Sequence, residues 1–109
     1  MLGRLIGSTN KERVLVYLIA REVGYAREIA RFFDVPLDPI QKALDGLERA
    51  GVLVSRVAGS TREYRMNPRY VLRDELRTLV EKALSFYPER LREELLIVRT
   101  RPRRKGKPL

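Results

Sequence analysis

The chain has 109 residues, of which 44% are hydrophobic and 34% are charged, and its formal net charge is +9. This length allows one domain with a modest core, and the lack of cysteine and histidine excludes a disulfide framework and thiolate or imidazole metal sites. No run of about 18 apolar residues is present and the apolar stretch in the first residues is too short for a signal peptide, so we expect a cytoplasmic protein without a membrane partner.

The first predicted helix begins near Thr9. Thr9 and Glu12 have the spacing of a capping box, in which both side chains bond to the backbone at the start of a helix. Apolar residues then recur at helical spacing and form the core-facing side of this helix: Val14, Leu15, Leu18 and Ile19.

Two short amphipathic helices follow, separated by a turn. In the segment YAREIARFFDV, from Tyr25 to Val35, apolar residues recur every three or four positions, and Pro36 disfavours helical geometry before it. The second helix is predicted to start at about Pro39, with Asp38 as its capping residue. Gly51 is placed to end that helix in a left-handed conformation.

A β-hairpin is predicted next. Residues 52–57 are rich in β-branched side chains, Ala-Gly-Ser at positions 58–60 offers a turn, and residues 61–66 again favour a strand. Arg56, Arg62 and Arg65 would surround the tip of this hairpin, as phosphate contacts require. Two helices joined by a turn and followed by such a hairpin indicate a winged helix-turn-helix, whose second helix enters a major groove.

The C-terminal third is predicted to contain two further helices. An apolar stripe runs from Val71 to Phe86, and Pro88 separates it from a shorter helix that reaches about Val98. The leucines in this region exceed what a three-helix core needs, so we expect a homodimer. The predicted organisation is a winged helix-turn-helix DNA-binding domain over residues 1–70, helices for dimerisation over 71–98 and a basic, unfolded tail over 99–109. The predicted fold class is therefore mainly α with a small β-hairpin (α+β), with extra C-terminal helices.

Most of the net charge lies in the tail RTRPRRKGKPL. Residues 99–109 carry six of the nine net positive charges, which leaves +3 for the other 98 residues. Between Pro36 and Gly51 the balance is minus one, so the predicted recognition helix is not a basic surface. Phosphate affinity would come from arginines outside that helix and from the tail. Three interpretations of the tail remain open: a DNA arm, an RNA or ribosome contact, and a solubilising segment.

The candidate DNA-binding residues come from both short helices, the hairpin and the tail. Gln41, Lys42 and Asp45 lie opposite the apolar stripe of the second helix. There Gln41 could contact adenine, Lys42 could contact guanine or phosphate, and Asp45 could contact cytosine. An ordinary solvated helix face would show the same residues. The full set is Arg27, Arg31, Asp38, Gln41, Lys42, Asp45, Arg49, Arg56, Arg62, Arg65, Arg101, Arg103, Arg104 and Lys105. No metal or cofactor is expected.

The segment from Leu5 to Leu76 resembles the ArsR-like winged-helix transcriptional regulators. The resemblance rests on LIGSTNKERVLVYL, YAREIARFFDV and IQKALDGLERAGVLVSRVAGSTREYRMNP, and covers roughly two thirds of the chain. It is strongest to short prokaryotic or archaeal members whose winged helix often accompanies a nucleotidyltransferase, and it implies pairing of the terminal helices in a dimer. The chain departs from the metal-sensing members because it has neither cysteine nor histidine. The dominance of arginine and glutamate among its charged residues indicates a thermophilic source.

We therefore expect a sequence-specific regulator that binds double-stranded DNA as a homodimer, and represses transcription from a palindromic operator. One alternative is a winged helix that docks another protein, such as a nucleotidyltransferase, and the near-neutral recognition helix is its best support. The other is a nonspecific nucleic-acid or chromatin-associated binder driven by the tail. We do not expect an enzyme, because neither a phosphate loop nor a nucleophile elbow is present.

Overall fold

Helices and a small antiparallel sheet build the domain, and the computed structural model describes residues 1–96. The elements in chain order are α1 (Leu2–Ile6), α2 (Thr9–Arg21), β1 (Gly24–Tyr25), α3 (Ala26–Phe33), α4 (Leu37–Arg49), β2 (Leu53–Ala58), β3 (Thr61–Met66), α5 (Arg73–Leu84) and a further helix, α6, over residues 89–96. The prediction of a mainly helical winged helix-turn-helix with additional C-terminal helices is confirmed. α3 and α4 form the helix-turn-helix, and β2 and β3 form the wing.

The central element is α2. Every residue from Val14 to Ala20 is buried, because α1, α3, α4 and α5 all pack on this helix. The predicted apolar stripe of α2 is confirmed, yet the burial extends around the whole helix, as expected for a helix in the middle of a core.

The start of α2 differs from the prediction. Ser8 is the N-cap, and its Oγ accepts a hydrogen bond of 3.0 Å from the backbone N–H of Lys11. Thr9 is already helical, so the predicted capping box of Thr9 with Glu12 is wrong. The short helix α1 precedes this cap, and Glu12 turns towards it.

Glu12 is a buried carboxylate with 3% exposure that connects three segments. It accepts hydrogen bonds from the backbone N–H of Gly3 at 2.6 Å and from the hydroxyl of Tyr87 at 2.7 Å. Burial by itself raises the pKa of Glu12, but the hydrogen bonds from Tyr87 and Gly3, together with the N-terminal ammonium 3.3 Å away, outweigh it, so the pKa lies below its ordinary value. Glu12 is therefore ionised at neutral pH and joins α1 to the segment before α6.

Both boundaries of the predicted turn between α3 and α4 shift. α3 ends at Phe33, because Asp34 adopts a left-handed conformation with φ 56° and closes the helix before Val35. α4 begins at Leu37, so Pro39 lies within its first turn, where the backbone N–H groups have no intrahelical acceptor and proline costs no hydrogen bond. Asp38 is consequently inside the helix and does not cap it. Gly51 has φ 84°, which confirms its predicted left-handed conformation.

The wing belongs to a three-stranded antiparallel sheet with the order β1-β3-β2. The loop between β2 and β3 has two residues, since Ala58 pairs with Thr61, and Gly59 takes a φ of 66° there. The strand β1, in which Gly24 pairs with Tyr64, was not predicted from the sequence. A Cβ atom on Gly24 would lie 2.9 Å from the ring of Tyr17, so this position needs glycine for the strand to approach α2.

The C-terminal helices pack on the same core. Val80 and Ala83 of α5 are buried, and the carbonyl of Leu95 in α6 accepts a 3.1 Å hydrogen bond from Nε of Arg21. The predicted end near Val98 and the whole predicted tail lie outside the described residues. None of the helices in the described part of the chain has the length and hydropathy that a membrane span needs.

Candidate nucleic-acid interface

The outward side of α4 begins with an exposed ion pair. Nζ of Lys42 lies 3.2 Å from Oδ2 of Asp38, and the two side chains are 77% and 75% exposed. Such exposed pairs contribute little to stability and exchange readily with other partners. Lys42 is thus accessible to a phosphate or a base edge, but such a contact would compete with the carboxylate of Asp38.

Gln41 connects α4 to the wing. Its Nε2 donates to the hydroxyl of Tyr64 at 3.0 Å and to Oδ1 of Asp45 at 3.2 Å. Tyr64 is 1% exposed, and burial raises the pKa of its phenol. Both amide hydrogens of Gln41 are therefore engaged within the protein, and pairing with adenine would require one of these bonds to break.

A second set of contacts joins the C-terminal half of α4 to the same face of the wing. The hydroxyl of Ser55 donates to Oε2 of Glu48 at 2.6 Å and accepts from Nη1 of Arg62 at 3.1 Å. Arg62 thus lies on the face of the hairpin that is directed towards α4. These contacts fix the hairpin relative to the recognition helix.

The opposite face of the hairpin is organised around Glu63. This carboxylate is 9% exposed and contacts Nε of Arg56 at 3.0 Å and Nη2 of Arg65 at 3.3 Å. It also accepts a 3.4 Å hydrogen bond from the hydroxyl of Tyr25 on β1. The hydrogen bond from Arg56, together with that from Arg65, lowers the pKa of Glu63. Glu63 is ionised at neutral pH and offsets part of the positive charge of both arginines.

The three arginines predicted to surround the hairpin tip are therefore divided between its two faces, and their contact with phosphate stays a prediction. Arg62 lies on the α4 side of the sheet, whereas Arg56 and Arg65 lie on the other side and share one carboxylate. The physical reason is the alternation of side chains along a strand, combined with a register that places Glu63 directly opposite Arg56.

A cleft of about 370 Å³ lies between α4 and the wing. Its walls include two basic side chains, Arg27 and Arg62, and two acidic ones, Asp45 and Glu48. The cleft is thus balanced in charge. An anion could reach the two arginines at this cleft, while the carboxylates would repel one that approached α4 closely.

The remaining predicted residues differ in accessibility. Arg27 and Arg31 are exposed and lie one turn apart on α3, so they share a side of that helix. Arg49 is exposed in the last turn of α4. The four predicted tail contacts are outside the described residues: Arg101, Arg103, Arg104 and Lys105.

Glu63, Glu48 and Ser55 were not predicted from the sequence to take part in the interface. A glutamate between arginines in a strand was a visible signal, yet its partners depend on the register of the hairpin. Among the described residues, no acidic cluster has the arrangement of a metal site.

Solved structures with the same fold include a transcriptional regulator and a repressor. A MarR-family transcriptional regulator from Silicibacter pomeroyi is 21% identical with a TM-score of 0.57, and the match covers 89% of this chain and 71% of that one. The adhesin competence repressor AdcR from Streptococcus pyogenes is 12% identical with a TM-score of 0.51, over 97% and 91% of the two chains. A mutant of ZitR from Lactococcus lactis in its apo form is 17% identical with a TM-score of 0.54, over 97% and 89%.

These likenesses extend over nearly the whole chain and support the winged-helix fold at a low sequence identity. The sequence matches no protein-family profile and no curated protein. The neighbours are thus similar to this chain in fold, and none of these three is described as an ArsR-like protein.

Proposed function

We propose that this protein is a sequence-specific regulator of transcription that binds double-stranded DNA as a homodimer and acts as a repressor. The observation that carries the proposal is the coupling of α4 to the wing through Gln41 and Tyr64, and through Glu48 and Ser55. A recognition helix and a hairpin that are held in one orientation can contact a duplex together. The similarity in fold to proteins described as transcriptional regulators supports the same conclusion.

In the proposed complex α4 lies in the major groove and the sugar-phosphate backbone passes along the cleft between α4 and the wing. Arg27 and Arg62 would contact phosphates there, and Arg31 would extend that contact along α3. These contacts position the protein and carry no sequence information. Sequence would be recognised by the polar side chains of α4.

Lys42 and Asp45 are the proposed base contacts that require the least rearrangement. Lys42 needs only to leave an exposed ion pair, and Asp45 can accept a hydrogen bond from cytosine while its other contact to Gln41 remains. Asp38 and Arg49 lie at the two ends of α4 and are proposed to act at the edges of the site.

The basic tail is proposed to supply most of the electrostatic affinity. The described part of the chain carries a net charge of only +3 out of +9, because the six cations beyond it have no acidic counterpart. We assign Arg101, Arg103, Arg104 and Lys105 to phosphate contacts. Affinity of this origin falls steeply as salt is added.

Repression requires only that a dimer occupy its operator. The exposed apolar side chains of α5 provide a surface for a homodimer, and a symmetric dimer presents two copies of α4 to a palindromic site. The narrower ArsR-like assignment is part of this proposal and is supported by the segment LERAGVL leading into the hairpin.

A second candidate function is docking of another protein. It is favoured by the pairing of Lys42 with Asp38 and by the balanced charge of the cleft, since neither creates a strongly basic surface. In this case the cleft would hold a polar segment of the partner.

Selection from a randomised duplex library by the full-length protein near physiological salt tests the proposal. We expect a two-fold symmetric motif to be enriched. Truncation after Val98 should weaken this binding and leave the motif unchanged. Unselective binding that the truncation abolishes would replace the proposal with tail-driven association, and absence of binding in both forms would favour the docking function.

Substitution of single arginines tests the proposed orientation. Arg62→Ala should lower the slope of the logarithm of affinity against the logarithm of salt concentration by about 1, as expected for loss of one phosphate contact. Arg90→Ala is a matched control, because Arg90 is exposed on α6 and outside the proposed interface. Equal effects of the two substitutions would contradict the assigned orientation.

A further inference from the structure

The side-chain amide of Gln41 is held in one orientation by two neighbours. Its Nε2 lies 3.2 Å from Oδ1 of Asp45 and 3.0 Å from the hydroxyl oxygen of Tyr64. Because a carboxylate has no hydrogen to donate, the group that faces Asp45 must be the NH2 group of the amide and not its oxygen. The two contacts use both hydrogens of that group. Gln41 therefore has no hydrogen left for a base, whereas its Oε1 can still accept one.

Tyr64 is the more rigid of the two neighbours. Its side chain is 1% exposed, and it belongs to β3, the middle strand of the order β1-β3-β2. A ring that is buried in a close-packed core cannot change its rotamer without displacing its surroundings. Asp45 is only half-buried on the surface of α4. The hydroxyl of Tyr64 is thus the fixed point to which the amide of Gln41 is attached.

Gln41 and Asp45 together present only acceptors along one side of α4. They are four residues apart, so they lie on the same side of the helix and about 6 Å apart along its axis. No side chain or backbone group within residues 1–96 donates to Oε1 of Gln41 or to Oδ2 of Asp45. We call these two oxygen atoms the acceptor pair. Both residues line the cleft beside the wing, where the proposed complex places the duplex.

An acceptor pair distinguishes the bases by their exocyclic amino groups. In the major groove adenine and cytosine each present an amino group, whereas guanine and thymine present oxygen acceptors. An oxygen of the acceptor pair therefore binds adenine or cytosine and is repelled by guanine or thymine. A separation of about 6 Å is less than two base-pair steps of about 3.4 Å, so the two contacted base pairs are close neighbours.

The usual pairing of glutamine with adenine is different, because it uses two hydrogen bonds. The amide oxygen accepts from the amino group of adenine, and an amide hydrogen is donated to N7 of the same base. In this protein the hydrogen that N7 would need is donated to Tyr64. Gln41 can therefore make only the first of the two bonds, and cytosine offers an equivalent amino group for that bond.

We propose that Tyr64 determines the base preference of the recognition helix by restricting Gln41 to accepting hydrogen bonds. Gln41 then recognises an amino group on either adenine or cytosine, and Tyr64 acts as a positioning residue that does not touch the duplex. The inference rests on the proposed function and specifies the bases that α4 accepts. It assigns a role in recognition to a buried residue of the wing.

Base preference in the full-length protein tests this inference. After selection from a random duplex library, dissociation constants are measured for four duplexes that differ at one position of the motif. Gln41→Met identifies that position, because it removes Oε1 and should abolish discrimination there alone. Wild type should bind adenine and cytosine comparably at this position, and guanine and thymine about tenfold more weakly.

Tyr64→Phe is the decisive variant. It keeps the buried ring, removes the acceptor of Gln41 and frees one amide hydrogen for N7 of adenine. Adenine should then be bound about tenfold more tightly than cytosine at the position read by Gln41. A merely structural defect would weaken binding to all four duplexes by the same factor and would leave their order unchanged.

Tyr70→Phe is the matched control. It makes the same chemical change at a half-buried tyrosine that packs on the core but does not line the cleft. Tyr70→Phe should leave the preference at every position as in wild type. A shift towards adenine in this variant as large as in Tyr64→Phe would overturn the assignment to Tyr64.

Failure of this inference can be distinguished from failure of the proposed function. A wild-type protein that selects no motif would overturn both. A selected motif in which the position read by Gln41 accepts adenine alone, or accepts guanine or thymine, would overturn the inference and leave the regulator intact. The same holds if Tyr64→Phe binds the four duplexes in the wild-type order.

Discussion

Replacement of the buried carboxylate of Glu12 should destabilise the fold more than any change of an exposed charge. In Glu12→Ala the backbone N–H of Gly3 and the hydroxyl of Tyr87 both lose their acceptor. Each stranded donor costs about 1–3 kcal/mol, and because both residues are only half-buried we take the lower half of that range. The expected loss is about 2–4 kcal/mol in the free energy of unfolding, a large share of the stability of a small domain.

The direction of the pKa shift of Glu12 determines how this loss of stability changes with pH. The folded pKa of Glu12 lies below its ordinary value of 4.5, so its ionised form stabilises the folded state. That contribution is complete above about pH 4.5 and is lost as the pH falls through the lowered pKa. In Glu12→Gln the difference from wild type should therefore be largest at pH 7 and should shrink at the acidic end.

Urea denaturation of both variants between pH 3 and pH 7 is the appropriate assay. Glu93→Gln is a control, because Glu93 is exposed on α6. Equal stability of Glu12→Gln and wild type at pH 7 would refute the reasoning. So would a deficit of the same size across the whole pH range, because it would mean that the charge of Glu12 is not what stabilises the fold.

Three further substitutions test the packing of β1, the stability of α4 and the ion pairs of the wing. Gly24→Ala should lower the free energy of unfolding by about 1–3 kcal/mol, measured by thermal denaturation, because the added Cβ would overlap the ring of Tyr17. A Gly24→Ala variant as stable as wild type would contradict this close approach. Gly46→Ala should raise the free energy of unfolding by up to about 1 kcal/mol, because alanine favours a helix and the added Cβ would meet only the flexible end of Lys11. A loss of stability would contradict this expectation. Glu63→Gln should steepen the salt dependence of duplex binding by about 1–2 units of slope, measured by fluorescence anisotropy, because it releases two arginines. An unchanged slope would show that these arginines do not reach phosphates.

Hydrophobic periodicity was sufficient to predict the main elements. It identified α2 to α5 and the start of α6, while β-branched residues and a Gly-containing turn identified β2 and β3. It did not find α1, which has five residues, or β1, which has two, because segments this short contain less than one period of a reliable pattern. The start of α4 was displaced by the assumption that Pro39 is its first residue. Pro39 is the third residue, where the first turn still needs no backbone N–H donor.

The candidate site was harder to predict because it depends on pairing across the sheet. A three-residue turn over positions 58–60 would place Arg56 opposite Arg62. The two-residue loop that forms places Arg56 opposite Glu63. A difference of one residue in the loop therefore decides whether the outer face of the wing concentrates positive charge or neutralises it. Composition and charge counts carry no information on that choice.

The neutralised charges affect the balance between affinity and specificity in the proposed DNA complex. With Lys42 paired to Asp38 and two wing arginines paired to Glu63, the folded body retains few unopposed cations at the proposed interface. A body of this kind binds random duplex weakly and depends on base contacts, so it favours specificity over affinity. In the proposed complex the six cations beyond the described residues would supply the opposite property, because phosphate contacts gain affinity for every sequence equally. Such a separation would allow affinity and specificity to be altered independently, the first by changes in the tail and the second by changes on α4.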